Sequence, residues 1–504
     1  MTLAMNQGTG TIGVVFLIYI GAMVAIGWLA YRRTGDLADY ILGGRKLGSW
    51  VTALSAGASD MSGWLLLGLP GYAYASGFEA GWIALGLLVG TYFNWRIMAR
   101  RLRCYTEIAG NSLTIPDFLE QRFRDRRHLL RIIAAFFILL FFLFYTSSGL
   151  VAGAKLFNAV FGWPYQWAVI VGAGAILIYT FIGGFMAVSW TDMLQGLLMA
   201  LALVVVPLVA ISHIDGVSSV GTALRTTNPE LLNPFTSATG EPLGILAILS
   251  LLGWGLGYFG QPHILARFKA IRLMSALDSA RRIAMVWVVV SMSGALAVGI
   301  VGVAYLAQPL TGADTEKVFI ILVNTLFHPL VAGVLLAAIL AAVMSTADSQ
   351  LLVSASVLTD DFYRAMVRPA ASQKELLWIG RGAVLIIALV ATALAWDPGR
   401  KVLDLVAYAW AGFGAAFGPT LLLALFWPRM TRNGALAGMV AGGLTVVIWK
   451  QLSGGLFDLY EIVPGFMLSI TAIVVVSLAD RQPTPEITEE FNAVRQKLAT
   501  TETE

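Results

Sequence analysis

The sequence predicts an all-α integral membrane protein of about thirteen transmembrane helices, and three observations predict it. Hydrophobic types make up 58% of the 504 residues and charged types 12%, against roughly 45–50% and 25% in soluble domains. No water-facing globule hides that much apolar surface, so hydrocarbon is the solvent for most of it. Apolar runs of about 20 residues recur along the chain, each long enough to cross about 30 Å as a helix. Arginine and lysine concentrate in alternate connections between those runs.

The runs lie near 12–31, 50–74, 79–98, 130–156, 164–184, 189–212, 242–264, 283–308, 328–358, 376–396, 402–427, 433–452 and 458–480. The first is too long for the apolar part of a cleavable signal and lacks a cleavage site, which makes it a retained span. A shorter apolar run at 317–327 reads as an extracellular helix. Thirteen crossings put the chain ends on opposite sides. Alternate connections starting after the first span, with the C-terminal tail, hold about 27 of the 33 Lys and Arg, the excess that marks a cytoplasmic face. Arg32, Arg33, Arg45, Lys46 and the segment from Arg96 to Arg131 belong to this group. The N-terminus is then outside and the C-terminus inside. Residues 1–480 form one transmembrane domain. Residues 481–504 form a cytoplasmic polar tail, acidic at Glu486, Glu489, Glu490, Glu502 and Glu504, and either disordered or helical.

The net charge of +4 is too small, and its arginines too dispersed, for a nucleic-acid-binding face. A single cysteine, Cys104, excludes an intrachain disulfide. No soluble catalytic module is appended.

Two runs are unusual. The second carries TALSAGASDMSGW from Thr52 to Trp64, and the seventh carries GWGLGYFGQP from Gly253 to Pro262. Both put glycine and polar groups mid-span, and they stand five spans apart, counting one of the two. Interrupted helices at corresponding positions of two halves point to a transport site. The implied repeat pairs spans 2–6 (about 50–212) with spans 7–11 (about 242–427).

Asp60 is the sharpest signal, about ten residues into span 2. A carboxylate at the centre of a membrane helix costs at least about 2.5–3.5 kcal/mol to insert. A monovalent cation offsets that charge, and oxygens are at hand in Ser55, Ser59, Ser62 and the carbonyls near Gly63. A second cluster, AAVMSTADS, spans Ala341 to Ser349. The Ala342 carbonyl and the Ser345 and Thr346 hydroxyls share one helix face, and hard cations prefer such ligands. An isolated Ser-Thr pair in a membrane helix ordinarily bonds to its own preceding turn; the intramembrane aspartate elsewhere is what tips the reading toward an ion site. Asp348, nearer the cytoplasm, and Asp192, at the start of span 6, are candidates for an ion path or gate.

Trp64, Tyr145, Trp254 and Tyr258 sit within spans rather than at the interfacial belts. Pro262 removes a backbone donor, and Gln261 adds a neutral polar group. A helix N-terminus near Gly63 suits a carboxylate, and aromatic faces suit an ammonium and an apolar ring. A small apolar amino acid meets both demands. No arginine or lysine lies deep in a predicted span, which argues against a dianionic solute. His128, His213 and His328 fall at span ends, and His263 reads as structural. No zinc spacing, phosphate loop or nucleophile elbow occurs.

These residues resemble the sodium/solute symporter family over roughly residues 10–480. The segments carrying the likeness are YILGGR (Tyr40–Arg45), SAGASDMSGW (Ser55–Trp64), IGGFMAVSWTDMLQ (Ile182–Gln195), GYFGQPHILARF (Gly257–Phe268) and MSTADS (Met344–Ser349). The second and fourth are similar to those of members that carry L-proline. The resemblance implies a LeuT-like five-plus-five inverted repeat with broken helices 2 and 7, and Na+-driven symport of L-proline across a bacterial inner membrane. It implies that the carbonyls of Ala58, Met61 and Ala342 and the hydroxyls of Ser345 and Thr346 hold Na+. Asp60 serves that site directly or through its neighbours. Trp64, Tyr145, Trp254, Tyr258 and Pro262, with Gln261 close by, would contact proline. Neither a nucleic acid nor an obligate protein partner is implied. The competing readings are the same fold moving another small neutral solute or using protons, a membrane sensor without transport, and a membrane enzyme with Asp60 as acid or base. The last lacks a second catalytic group at matching depth.

Overall fold

Backbone groups inside hydrocarbon have no water to bond, so each apolar run must satisfy its own. A computed structural model, describing residues 8–31, 41–180 and 184–503, folds them as helices, with no strand among the described residues. In order these are α1 (Thr9–Tyr31), α2 (Ser49–Asp60), α3 (Leu69–Ser76), α4 (Gly81–Phe93), α5 (Ala99–Ile108), α6 (Ile115–Phe123), α7 (Leu129–Phe161), α8 (Tyr165–Thr180), α9 (Phe185–His213) and α10 (Val217–Thr227). Then follow α11 (Ile245–Gly253), α12 (Pro262–Ala270), α13 (Ala276–Tyr305), α14 (Val318–Leu326), α15 (Pro329–Ser356), α16 (Gln373–Leu394), α17 (Val402–Phe426), α18 (Arg432–Trp449), α19 (Ile462–Ala479) and α20 (Pro485–Thr503). Tyr40, Ile182 and Gly183 of the family segments, and Arg32 and Arg33, lie outside the described residues.

Among the described residues nine helical stretches are long and apolar enough to cross a bilayer, or ten with the bent pair α11–α12 counted as one span. Three of the thirteen runs are not counted separately by that measure of length and composition. Run 50–74 is two short helices, α2 and α3, and its second half is continuous with α4 and α5 in one long stretch, Trp64–Ile108. Run 164–184 is described as α8 through Thr180, with residues 181–183 outside the described residues. Run 433–452 is the 18-residue α18, which includes Arg432, Asn433 and four glycines. The short run near 317–327 is the nine-residue α14.

Both interrupted runs are broken where glycine and polar residues cluster. The α2 helix stops at Asp60, because Met61 takes φ −87° and ψ 74°. The chain resumes as a π turn over Trp64–Gly68 that runs into α3. The α11 helix passes into a 3-10 turn over Trp254–Gly260, and α12 leaves at 46° after Gln261. Pro262 sits at the first position of α12, where its missing N–H costs nothing. Helix α15 is buried over most of its length and packs on α1, α2, α7 and α9, while α17 packs on the 3-10 turn, α7, α18 and α19. These two helices bring the breaks together at the centre.

Contrary to the expectation of uncharged span interiors, Arg267 on α12 and Lys155 on α7 are buried. Each is neutralised within the protein: Arg267 by Asp192 at 2.9 Å, Lys155 by Glu316. Glu316 also accepts the N–H groups of Val402 and Leu403 at the start of α17, at 2.9 and 3.1 Å, where the helix dipole favours a carboxylate.

The acidic tail is helical and docked. Phe491 and Val494 of α20 are buried, with the Phe491 ring edge-on to Tyr105 and beneath the Arg122 guanidinium. Glu490 pairs with Arg124 at 2.6 Å, and Lys497 with Glu107 at 3.3 Å.

Small residues let α4 lie directly on the 3-10 turn. A Cβ on Gly255 would collide with the backbone of Gly86, and one on Gly90 with the backbone of Gly255. Gly255→Ala should therefore destabilise the fold by about 1–3 kcal/mol, read as an earlier thermal melt in detergent. Gly221→Ala, where a Cβ meets nothing within 4 Å, should melt like the parent.

Candidate functional site

The end of α2 frees main-chain carbonyls in the protein centre. Met61 N–H still reaches Gly57, but Ser62 N–H turns back to the Asp60 carbonyl at 3.0 Å rather than to Ala58. The Ala58 carbonyl is met from α15 instead: Ser345 Oγ donates to it at 2.8 Å and Thr346 Oγ1 at 3.4 Å. Ser345 Oγ also lies 3.2 Å from the Ala342 carbonyl. Four oxygens from two distant stretches thus converge, all buried. Met61, three residues past Ala58, is buried, and among the described residues no hydrogen bond joins it to either hydroxyl.

Asp60, two residues on, faces the second break. Its Oδ2 accepts from the Tyr258 hydroxyl at 2.7 Å, while its buried Oδ1 has no hydrogen-bond partner among the described residues. Its carbonyl accepts from Tyr145 Oη at 2.8 Å and Trp64 Nε1 at 3.2 Å. The Trp64 and Trp254 rings lie 6.2 Å apart, and Trp254 also packs against Tyr460 of the α18–α19 connection at 5.4 Å. Gln261 Nε2 donates to the carbonyls of Gly257 and Trp410, at 3.1 and 3.3 Å, leaving its buried Oε1 without a donor among the described residues. Trp64, Tyr145, Trp254 and Tyr258 are thereby gathered around Asp60, and Gln261 and Pro262 close the same turn.

Asp192 stands apart from both groups. Its Oδ2 accepts from Ser55 at 2.7 Å and from Arg267 Nη2 at 2.9 Å. Arg267 also donates to Ser55 Oγ at 3.0 Å, to the His263 carbonyl at 2.8 Å and to Ser349 Oγ. One guanidinium therefore joins α2, α9, α12 and α15. Asp348, fully buried on α15, interacts electrostatically with Arg267. Removing one partner from such a buried pair costs about 3–5 kcal/mol.

Sequence reasoning missed Arg267 as a buried charge, and Trp410 and Tyr460 altogether. Arg267 was visible within GYFGQPHILARF, but the predicted span ended near 264. Trp410 had one faint signal, a large indole flanked by Ala409, Ala411 and Gly412, which is a setting for close helix approach.

Comparison with known proteins places the chain in a family. A family model described as the sodium:solute symporter family matches residues 40–442. A sodium/proline symporter of Salmonella typhimurium is 52% identical over 483 residues, covering 95% of each chain. A high-affinity proline transporter of Bacillus subtilis is 50% identical over 472 residues, 93% of this chain and 98% of its own. A Na+-coupled sialic acid symporter, solved substrate-bound and outward-open, superposes with a TM-score of 0.78 over 94% of this chain and 99% of that one. At 18% identity that last likeness is one of fold. With the family model spanning most of the sequence and half of all residues identical to those of such relatives, the chain belongs to the sodium:solute symporter family.

Proposed function

We propose that this chain imports L-proline together with Na+ across a bacterial inner membrane by alternating access. The observation that carries the reading is the Ala58 carbonyl, released by the end of α2 and met by Ser345 and Thr346 of α15. A small hard cation needs such converging oxygens. In this reading the carbonyls of Ala58, Met61 and Ala342 and the hydroxyls of Ser345 and Thr346 ligate Na+, their lone pairs turning toward the ion. Asp60 offsets the charge from its place beside them, and its partnerless Oδ1 supports that role.

The solute side follows from the other half of the same stretch. Trp64, Tyr145, Trp254 and Tyr258 offer aromatic faces to a ring and an ammonium, and Pro262 lies at the same break. The buried Oε1 of Gln261 is an acceptor for that ammonium. The outer half of the broken span starts near Gly63 and presents N–H groups to a carboxylate. The relatives named for proline carriage support proline as the solute.

Because Asp60 adjoins the ion oxygens and also holds Tyr258 and Tyr145, filling the ion site orders the solute site. Coupling is reciprocal, so proline tightens Na+ equally. One charge moving through about 100 mV supplies about 2.3 kcal/mol and a tenfold gradient about 1.4 more. That suffices for accumulation of several hundredfold. Residues 50–212 and 242–427 act as the two repeats, and 481–504 as the cytoplasmic tail, with the N-terminus outside. Asp192 and Asp348 lie along the inner exit. The Arg267 cage, with Ser349 one turn beyond Ser345 and Ser55 about one turn before Ala58, supports a gate there.

Asp60→Asn should insert normally yet lose Na+-stimulated proline uptake; uptake with ordinary sodium dependence in that variant would refute the ion assignment. Ser345→Ala should raise the Na+ concentration for half-maximal uptake by about tenfold, the effect of losing about 1.4 kcal/mol of ligation, in vesicles assayed with NaCl against choline chloride. For orientation, cysteine placed at Ser453 should react with an impermeant maleimide in intact cells. One placed at Ser372 should react only after permeabilisation, and the native Cys104, being buried, should stay silent.

A further inference from the structure

We infer that Trp410 of α17 is a positioning residue that sets where the solute-facing groups of the second break stand, and so which ring size the site accepts. The inference rests on the solute reading above. A 3-10 turn is tighter than an α-helix and its internal bonds are poorer in geometry. The stretch Trp254–Gly260 therefore takes its shape from whatever braces it.

Trp410 braces it at three points. Its indole Nε1–H donates to the Trp254 carbonyl at 2.7 Å. Its own carbonyl accepts from Gln261 Nε2 at 3.3 Å. Its ring stands edge-on to Tyr258, centroids 5.0 Å apart at 89°. The outermost of these contacts, at Trp254 and Gln261, are seven residues apart along the broken segment, so one side chain and its own main chain fix both ends. Trp410 is 1% exposed, and Gly257 makes room for it, since a Cβ there would overlap the indole. Trp254, Tyr258 and Gln261, all assigned here to the solute, thus owe their mutual spacing to a residue that does not itself face the solute. Their spacing is the width of the slot for the imino-acid ring.

The test uses full-length wild type, Trp410→Phe and Gly257→Ala in proteoliposomes. It measures Na+-driven uptake of radiolabelled proline, and competition by its four- and six-membered-ring homologues, azetidine-2-carboxylate and pipecolate. Phe keeps ring packing and removes the donor. Trp410→Phe should raise the KM for proline about tenfold, the scale of one buried hydrogen bond, with Vmax per reconstituted protein nearly unchanged. Its preference for proline over the homologues should narrow, and its Na+ half-saturation at saturating proline should stay at the wild-type value. A wild-type KM with wild-type competition ratios overturns the inference. So does a parallel loss of Vmax and Na+ affinity, which is what a general packing defect produces. If Trp410→Phe does not reach the membrane, Gly257→Ala, which keeps the indole but displaces it, must show the same KM rise and relaxed competition, and a wild-type profile there overturns it. Failure of wild type to take up proline overturns the solute reading, and this inference with it. Normal wild-type uptake beside an unaltered Trp410→Phe overturns this inference alone.

Discussion

A helix that stops inside a membrane must find partners for the carbonyls it releases, because hydrocarbon supplies none. Here the partner of the Ala58 carbonyl is a pair of hydroxyls on a helix nearly 290 residues further along the chain. That junction obliges α2 and α15 to lie side by side. It also puts Asp60, at the last turn of α2, within reach of the second break. From this one junction follows the location of everything else: the aromatic cluster on one side of Asp60 and the hydroxyl cluster on the other. Glycine at the close approaches is its necessary complement, since α4 and α17 must both come near the 3-10 turn.

Around this centre two buried cations, Arg267 and Lys155, are each matched to a buried carboxylate. Arg267 is shared among four helices through Asp192, Ser55, Ser349 and a main-chain carbonyl. Lys155 and Glu316 tie α7 to the start of α17. Charges in oil are expensive when alone, and in both places the neutralising group comes from a different helix. Such pairs hold segments in register more than they add stability, because desolvation consumes most of the attraction. A transporter that rocks one bundle against another needs contacts that are specific in place and breakable in turn.

Much of this was legible in the sequence, and for a physical reason. A carboxylate such as Asp60, or a polar cluster such as Ser345 and Thr346, is improbable in hydrocarbon unless it has work there. The two glycine-rich interruptions were legible likewise. Arg267 was not, because its depth depends on the 46° bend after Gln261. Counted linearly, residues beyond 264 reach the membrane surface; with the bend, every residue of α12 stays buried. Trp410 was illegible for a different reason. An indole in an apolar run is unremarkable until the neighbour across the interface is known, and that neighbour is about 150 residues away. The split of the second run at Asp60 was half-legible, since glycine and serine marked the place but not the turn that Met61 takes.

The terminal helix has a further implication. It rests on α5, whose Arg103 Nε reaches across to the carbonyl of Ile271, just past the end of α12. Two contacts thus separate α20 from the second limb of the second break. Helix α5 is thus held from two directions, by α20 through the Phe491 and Tyr105 rings and by the second limb through Arg103. Loosening either grip frees a helix on which the other also rests.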